Sequence, residues 1–329
     1  MLRSNNPNKK LILNPYANLF LVLDILLRYR VRLTLGVVFI LFGVTATCPA
    51  WGATYHPSWP IFSEVQGGEA MYSVKKNDSL YSLSGRDGSA WQYLAQKNNL
   101  ILPFKLTVGQ RLMINNRHII PQTQIADGLL LNIPGHMLYL FEQGILSLRF
   151  PVGVGRPDWP TPTGFFKIIG KHTNPTWTVP KSIQEEMIRE GKVVTEKVPP
   201  GPDNPLGKYW LPLSIAGYGI HATIWPESIG HSTTHGCIRM TTKDIENLYS
   251  HITSGTPITI VYEPLKLAVT SDKKIFLEAH PNTYQKPFSY WDHVNKLALQ
   301  KGLSDQIDWS IVTQVLNERN GIAEEITLK

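Results

Sequence analysis

The residues best suited to chemistry lie in one short stretch that ends at Cys237. Three histidines precede this cysteine closely, namely His221, His231 and His235. A thiol is only slightly ionised at neutral pH, so a nucleophilic cysteine needs a nearby histidine as base and a third group to orient that histidine. Gly236 leaves the backbone N–H groups beside the thiol unobstructed, as the stabilisation of an oxyanion requires. The pattern predicts a cysteine nucleophile activated by a histidine.

The spacing of His235 and Cys237 adds to this prediction. Two residues that lie two positions apart on a β-strand point the same way, so both side chains are expected on one face. A buried apolar cysteine is one alternative, and a structural zinc site is another. Zinc would need a fourth ligand and usually a pair of cysteines, and the sequence offers neither. We therefore expect no metal and no organic cofactor at Cys237.

Composition excludes several classes of protein. The 329 residues include 43% hydrophobic and 17% charged residues, which does not fit a disordered or fibrous chain. The formal net charge is +7, but six of the basic residues lie in segment 1–53, where Asp24 is the one acidic residue. The remainder is nearly neutral and contains no Lys/Arg stripe, whereas binding to nucleic acid needs clustered positive charge. We expect no nucleic-acid partner.

The N-terminal segment 1–53 has the order of a secretory signal. Basic residues at 28–32 precede an apolar run over 33–44, and small residues around Ala50 follow. The run is shorter than the ~20 apolar residues of a membrane-spanning helix. An additional apolar stretch at 19–27 keeps an uncleaved N-terminal anchor as the alternative. The segment therefore predicts export by a signal peptide, or anchoring to a membrane.

Cysteine usage agrees with export. The chain has 2 cysteines, and Cys48 lies in the predicted leader, so processing would leave Cys237 without a partner for an internal disulfide. The residues before Cys48 match the cleavage motif of a lipoprotein only weakly, since the expected leucine is missing, so we do not expect Cys48 to carry a lipid. An odd thiol in an oxidising compartment is either an intermolecular partner or a reactive group.

After a linker over 54–70, residues 72–114 follow the order strand, helix, helix, strand. The sequence motifs in this stretch are Tyr72-x-Val74, Asn77-Asp78-Ser79-Leu80, Asn98-Asn99-Leu100 and Val108-Gly109-Gln110 with Ile114. These residues resemble a LysM module, which implies a small α+β fold over 71–116 that binds the glycan strands of peptidoglycan. Asn77 stands where glycine is usual, but asparagine also tolerates left-handed turn conformations. The alternative is a module that serves only as a spacer.

From Gly128 the pattern becomes rich in strands. Apolar runs split by turn residues lie at 129–133, 137–141, 146–152 and 165–169. A capping box at Thr241 predicts a helix, and a strand is expected at 257–262. We expect a mainly β domain over 127–263 with one short helix packed on it.

The tail, 264–329, contains two helical apolar faces, one at 291–298 and one at 309–316. The second pattern ends at Asn320-Gly321, which is typical of a helix terminus. We expect a helical C-terminal extension that docks on the β domain.

The residues around Cys237 carry a second resemblance. His221 together with the text Thr234-His235-Gly236-Cys237-Ile238-Arg239 is similar to the signature of the L,D-transpeptidase (YkuD-like) catalytic domain. Supporting segments are Gly153-Val154-Gly155, Thr161-Pro162-Thr163-Gly164-Phe165 and residues 198–207. The resemblance implies a β-sandwich or barrel-like L,D-transpeptidase fold. It extends into the tail, where the text is similar to that of periplasmic Gram-negative members.

This resemblance implies a role for each matching residue. Cys237 attacks a tetrapeptide stem of peptidoglycan, releases the terminal D-alanine and forms a thioester, and an amine then takes the acyl group. His221 acts as base and later as acid, while the carbonyl of Ala222 orients its ring. Gly236 and Cys237 donate N–H groups to the oxyanion. The implied substrate-binding positions are Thr234, His235 and Arg239.

Ala222 stands where glycine is usual, and its carbonyl can still orient the imidazole, so activity is expected. His231 lies outside the signature and is expected to be a surface residue.

The sequence does not identify the acceptor of the acyl group. A diaminopimelate amine would give 3→3 cross-links, a terminal lysine of a lipoprotein would give covalent anchoring, and water would make the protein a carboxypeptidase. A different class of protein, a wall anchor that binds glycan without catalysis, is the further alternative. Fold analogy does not choose among these functions.

Overall fold

The computed structural model describes residues 65–121 and 125–329. The predicted signal peptide or anchor, Cys48 and most of the predicted linker lie outside the described residues. Within those residues no helix is both long and apolar enough to span a membrane.

The first described region contains paired strands and two short helices. Its elements are β1 (Val65–Gln66), β2 (Glu69–Ser73), α1 (Leu80–Asp87), α2 (Trp91–Lys97), β3 (Arg111–Asn115) and β4 (His118–Ile119). Strand β2 pairs antiparallel with β3, and the helices pack on this ribbon through Leu83 and Leu94. The Ser79 side chain accepts a hydrogen bond from the Ser82 N–H and so begins α1. Asn77 has φ +70°, the left-handed conformation that a glycine position requires.

The second region forms the strand-rich domain. Its elements are β5 (Gly128–Asn132), β6 (Met137–Glu142), β7 (Ile145–Pro151), β8 (Val154–Gly155), β9 (Gly164–Lys167), β10 (His172–Thr173), β11 (Trp177–Thr178), α3 (Lys181–Arg189), β12 (Lys197–Val198), β13 (Tyr209–Pro212), β14 (Gly219–Ala222), a 3₁₀ turn (Pro226–Ser228), β15 (Ser232–Thr234), β16 (Ile238–Met240), α4 (Thr242–His251) and β17 (Pro257–Val261).

Two sheets enclose the core of this domain. One has the order β7-β6-β5-β17-β9 and the other β10-β13-β14-β16. Apolar side chains from both sheets and from α4 meet in one cluster that includes Leu131, Leu211, Ile220 and Ile245. Such a two-layer arrangement buries one face of each sheet. The mainly β architecture predicted from the sequence is confirmed.

Local signals explain several of these elements. The Thr241 side chain accepts from the Asp244 N–H and begins α4, as the capping box predicts. Gln143 and Gly144 both have positive φ in the tight turn between β6 and β7. Helix α3 was not predicted, since only one helix was expected in this domain. The helix begins at Lys181, after Pro180, without a side-chain cap, and none of its residues is buried, although Ile183 and Met187 have helical spacing.

The tail contains the two predicted helices together with a small sheet. Its elements are β18 (Leu265–Val269), β19 (Ile275–Ala279), α5 (Tyr290–Gln300), a 3₁₀ turn (Ser304–Gln306), α6 (Trp309–Glu318) and β20 (Glu324–Glu325). The sheet β18-β19-β20 is an addition to the predicted helical extension. Every residue of β18 and β19 is buried, including the ion pair of Lys266 and Glu278, so the strands show no alternation of polar and apolar residues.

The LysM-like region packs against the strand-rich domain, and both belong to one compact unit. The Tyr81 ring stacks on His231 at 3.5 Å between centroids, and His231 Nε2 lies 3.2 Å from the Tyr81 carbonyl oxygen. Gly85 approaches Ile229 and Gly230 so closely that a Cβ on Gly85 would lie 2.2 Å from the Ile229 carbonyl oxygen. His231, expected to be a surface residue, is half-buried, because one face of its ring stacks on Tyr81.

Candidate active site

Two neighbouring strands position the predicted chemical groups. Strand β14 pairs in parallel with β16, so that His221 lies opposite Arg239. Cys237 directly precedes β16, two positions before Arg239. Since neighbouring residues in register point to the same face, this pairing directs His221 and Arg239 to one side of the sheet. Both side chains and Cys237 line the same cavity.

His221 is buried and has one fixed ring orientation. Its side chain is 4% exposed, and Nδ1 lies 2.5 Å from the carbonyl oxygen of Ala222. A carbonyl only accepts hydrogen bonds, so Nδ1 carries the proton and Nε2 is the basic nitrogen. Burial, with a smaller effect of the Arg239 charge, lowers the pKa of His221 to about 3. The imidazole is therefore neutral at physiological pH.

The alanine at position 222 is accommodated by a glycine on a neighbouring segment. Gly207 has φ +62°, and a Cβ built on it would lie 2.6 Å from the Cβ of Ala222. The Ala222 methyl group thus occupies space that any side chain at position 207 would need. The departure from the usual glycine leaves the carbonyl free to accept from His221.

Cys237 is partly accessible, and its sulfur is in the neutral form. Its Sγ lies 3.6 Å from the carbonyl oxygen of Gly217. Removal from bulk water raises the pKa of Cys237 to about 11, although a backbone contact with Gly219 and the charge of Arg239 act in the opposite direction. The cavity at rest therefore contains a neutral thiol and a neutral imidazole rather than a thiolate and an imidazolium.

The turn that carries the thiol differs from the predicted strand. Strand β15 ends at Thr234, and His235 and Gly236 form a bend, so the strand argument for a shared face of His235 and Cys237 is wrong. Gly236 has φ +99°, and a Cβ on it would lie 2.6 Å from the Tyr218 ring. Only glycine fits this position without strain.

The Thr234 hydroxyl is used entirely within this turn. It donates to the Cys237 carbonyl oxygen at 2.6 Å and accepts from the Gly236 N–H at 3.0 Å. Thr234 therefore shapes the turn. The Gly236 N–H, expected to serve the oxyanion, is occupied in this resting arrangement, so it would have to leave Thr234 before it could donate to a substrate.

Two further residues fix the same turn and were missed by the sequence reasoning. Thr161 Oγ1 donates to the Gly236 carbonyl oxygen at 2.8 Å and accepts from the Gly155 N–H at 2.9 Å. Tyr284 OH donates to the Gly155 carbonyl oxygen at 2.7 Å and accepts from the Thr161 N–H. Thr161 lies in a segment that supported the family resemblance, whereas Tyr284 lies in the tail and carried no signal.

A cavity of about 500 Å³ opens above the thiol, and we call it the thiol cavity. His221, Cys237 and Arg239 line it together with apolar walls. The aromatic wall residues are Trp177, Trp210 and Trp225, and the wall from α3 consists of Ile183 and Met187. A concave, mostly apolar site with a few converging polar groups is typical of small-ligand binding.

Arg239 supplies a positive charge in the thiol cavity. Its guanidinium carbon lies 5.1 Å from the Trp225 ring centroid. Among the described residues its Nε is one of two buried side-chain N or O atoms without a hydrogen-bond partner. A guanidinium in a cavity wall favours a negatively charged ligand, to which it can donate charge-assisted hydrogen bonds. The cavity therefore suits an anionic group such as a carboxylate.

His235 faces the rim of the thiol cavity. Its Nε2 is hydrogen-bonded to the carboxylate of Glu186, and its ring meets Trp159 edge-on at 4.9 Å between centroids. Glu186 also bonds Arg156 at 2.5 Å. These contacts hold the pKa of Glu186 below its usual range, chiefly through the bond from Arg156. In the part of the chain that the structure describes, no cluster of three or more His, Cys, Asp or Glu residues is arranged to hold a metal ion.

Comparison with known proteins confirms both resemblances. Residues 126–260 match the model of the L,D-transpeptidase catalytic domain, and residues 72–115 match that of the LysM domain. The probable L,D-transpeptidase ErfK/SrfK of Salmonella typhimurium is 28% identical over 285 residues, 84% of this chain and 92% of that protein. The probable L,D-transpeptidase YcfS of Escherichia coli is 30% identical over 226 residues, 67% of this chain and 70% of that protein.

A solved L,D-transpeptidase structure from Mycobacterium smegmatis is 20% identical and matches 47% of this chain and 64% of that chain with a TM-score of 0.35. On the sequence matches to the family model and to YcfS, the chain belongs to the L,D-transpeptidase family and combines its catalytic domain with a LysM domain.

Proposed function

We propose that the protein is a cysteine-dependent L,D-transpeptidase that acts on the tetrapeptide stems of peptidoglycan. The observation that carries the proposal is the hydrogen bond between His221 Nδ1 and the Ala222 carbonyl oxygen, which leaves Nε2 basic in the cavity that Cys237 also lines. The proposed division of the chain places the LysM module at 71–116, the catalytic domain at 127–263 and the extension at 264–329.

In the first half of the reaction, His221 Nε2 takes the proton of the Cys237 thiol as sulfur attacks the carbonyl carbon at the L-centre of the third stem residue. The Cys237 N–H donates to the oxyanion, and so does the Gly236 N–H once it has left Thr234 Oγ1. The bond to the terminal D-alanine then breaks, and His221 returns the proton to the leaving amine. The product is a thioester on Cys237.

In the second half an amine nitrogen attacks the thioester carbon, the C–S bond breaks, and His221 transfers the released proton to sulfur. The acceptor is a diaminopimelate amine or a lipoprotein lysine, and water in the same position would make the protein a carboxypeptidase. Arg239 binds a carboxylate of the donor stem, because this positively charged side chain lines the cavity. His235 and Thr234 keep the acyl site in shape. The chemistry needs neither a metal nor an organic cofactor.

The LysM module is proposed to hold glycan strands near the catalytic domain, since the two are packed together through Tyr81 and His231. Its Gram-negative relatives and the predicted leader support an exported, periplasmic protein. Anchoring through the N-terminal segment and attachment of a lipoprotein belong to this proposal as well.

The proposal is tested by incubating the full chain with disaccharide-tetrapeptide fragments, with and without a lipoprotein C-terminal peptide, and analysing the products by mass spectrometry. Release of D-alanine with a dimer or a peptide adduct is expected, and Cys237→Ala should abolish it while the fold is kept. Release of D-alanine by the purified Cys237→Ala variant would overturn the mechanism. Glycan binding without any thioester or release would favour the non-catalytic wall anchor instead.

A further inference from the structure

Helix α3 forms one wall of the thiol cavity, and few of its apolar contacts hold it there. It lies between β11 and β12, which pair with each other, and its Ile183 and Met187 line the cavity. None of its residues is buried. Elements with few buried contacts open at low free-energy cost, so something other than apolar packing must keep α3 in place.

One side chain of α3 makes charged contacts with the rest of the site. Glu186 bonds the Arg156 guanidinium through Oε1 at 2.5 Å and His235 Nε2 through Oε2. The three side chains are only 16%, 29% and 25% exposed, respectively. We call these three residues the latch. Charge-assisted hydrogen bonds that are partly shielded from water are stronger than exposed ion pairs.

Both partners of Glu186 are themselves fixed. Arg156 follows β8 directly, bonds Asp158 at 2.8 Å and lies over the Trp159 ring at 5.8 Å. His235 meets the same Trp159 ring edge-on, and one residue separates it from Cys237. The latch therefore joins α3 to the segment after β8 and to the turn that carries the nucleophile.

We propose that Glu186 is a positioning residue that holds α3 over Cys237 and thereby decides whether the acyl group passes to an amine or to water. This inference rests on the proposed function.

Attack by an amine gives an amide, and attack by water gives a carboxylic acid. In both cases the C–S bond of the thioester breaks and the proton of the nucleophile goes to sulfur. A closed α3 limits the access of bulk water to the thioester, whereas an amine-bearing substrate that fits beside the apolar wall is retained.

The test compares two neutralising substitutions on the same helix. Glu186→Gln removes the charge of the latch, and Glu185→Gln removes a charge from the neighbouring, exposed residue, which bonds neither Arg156 nor His235. With stem fragments and an amine acceptor, Glu186→Gln should raise the ratio of hydrolysed to transferred product severalfold, while Glu185→Gln keeps the wild-type ratio. Arg156→Gln should act in the same direction, and the double variant should show less than the combined effect because the two residues share one contact. Equal ratios in all variants of an active protein would overturn the inference.

A second measurement does not depend on turnover. Alkylation of Cys237 by a bulky maleimide should be severalfold faster in Glu186→Gln than in wild type or Glu185→Gln, because α3 opens more often. Equal rates would refute the latch. If instead the rates differ as expected but no variant and no wild-type sample releases D-alanine, the proposed function fails while the latch stands. Thermal unfolding of each variant shows that its fold is intact.

Discussion

His221 Nδ1 lies 2.5 Å from the carbonyl oxygen of Ala222, and this contact assigns the proton of the neutral His221 ring to Nδ1. The bond defines the tautomer, and burial keeps the ring neutral. Because Cys237 is also neutral at rest, the proposed mechanism requires the thiol to lose its proton during attack rather than before it. The site therefore resembles a serine–histidine pair in its resting charge more than a preformed ion pair.

The first prediction concerns the pH dependence of Cys237 alkylation. Burial raises the pKa of Cys237 to about 11, so the thiolate is the minor form below pH 11. Its concentration rises about tenfold with each pH unit. The rate of reaction with iodoacetamide should therefore keep rising up to at least pH 10. The unfolded protein serves as control and should level off near the ordinary cysteine pKa of about 8.5. A plateau of the folded protein below pH 8 would show a preformed ion pair instead.

The second prediction concerns the turn that carries Cys237. Gly236→Ala places a Cβ within 2.6 Å of the Tyr218 ring at a φ of +99°. The turn must shift, and displacing a reacting group by ~1 Å can cost about 100-fold in rate. D-alanine release should fall by about that factor. Gly144→Ala is the matched control, since it also has positive φ but no atom within 4 Å of its Cβ position. Gly144→Ala should lose some stability and keep its rate of D-alanine release. An equal loss of this rate in both variants would mean that the Tyr218 contact is not the cause.

The third prediction concerns the contact between the LysM module and the catalytic domain. Gly85 lies inside α1, where alanine normally stabilises a helix by about 1 kcal/mol. Here a Cβ would lie 2.2 Å from the Ile229 carbonyl oxygen, so Gly85→Ala should lower the melting temperature of the full chain. Gly68→Ala, where the Cβ meets nothing within 4 Å, is the control and should leave the melting temperature nearly unchanged. A higher melting temperature for Gly85→Ala would mean that the two regions separate readily.

Local signals made much of the fold predictable. The N-cap at Thr241, the turn at Gln143-Gly144 and the left-handed Asn77 all act within a few residues, and the structure contains each of them, although the capping box at Thr241 lacks its reciprocal bond. The signature around Cys237 likewise led to residues that line one cavity.

The remaining features depend on partners that are distant in sequence. His231 contacts Tyr81 across 150 positions, and Lys266 pairs with Glu278 across neighbouring buried strands. Because Lys266 and Glu278 are buried together with apolar neighbours, β18 and β19 lack the apolar pattern by which a strand is recognised in the sequence. Glu186 offered no signal either, because its importance comes from Arg156 and His235, which lie on other segments.

The last prediction concerns Arg239 and separates binding of the donor from activation of the thiol. Arg239→Lys keeps a positive charge in the cavity but loses the planar group that binds a carboxylate through two hydrogen bonds. KM for the tetrapeptide donor should rise about tenfold, which corresponds to ~1.4 kcal/mol of binding.

Alkylation of Cys237 in this variant should stay at the wild-type rate, because the charge that lowers the thiol pKa is retained. Arg111→Lys, an exposed change in β3, is the matched control and should affect neither measurement. If alkylation slowed in parallel with the rise in KM, Arg239 would act on the nucleophile rather than on the substrate. An unchanged KM would remove Arg239 from donor recognition altogether.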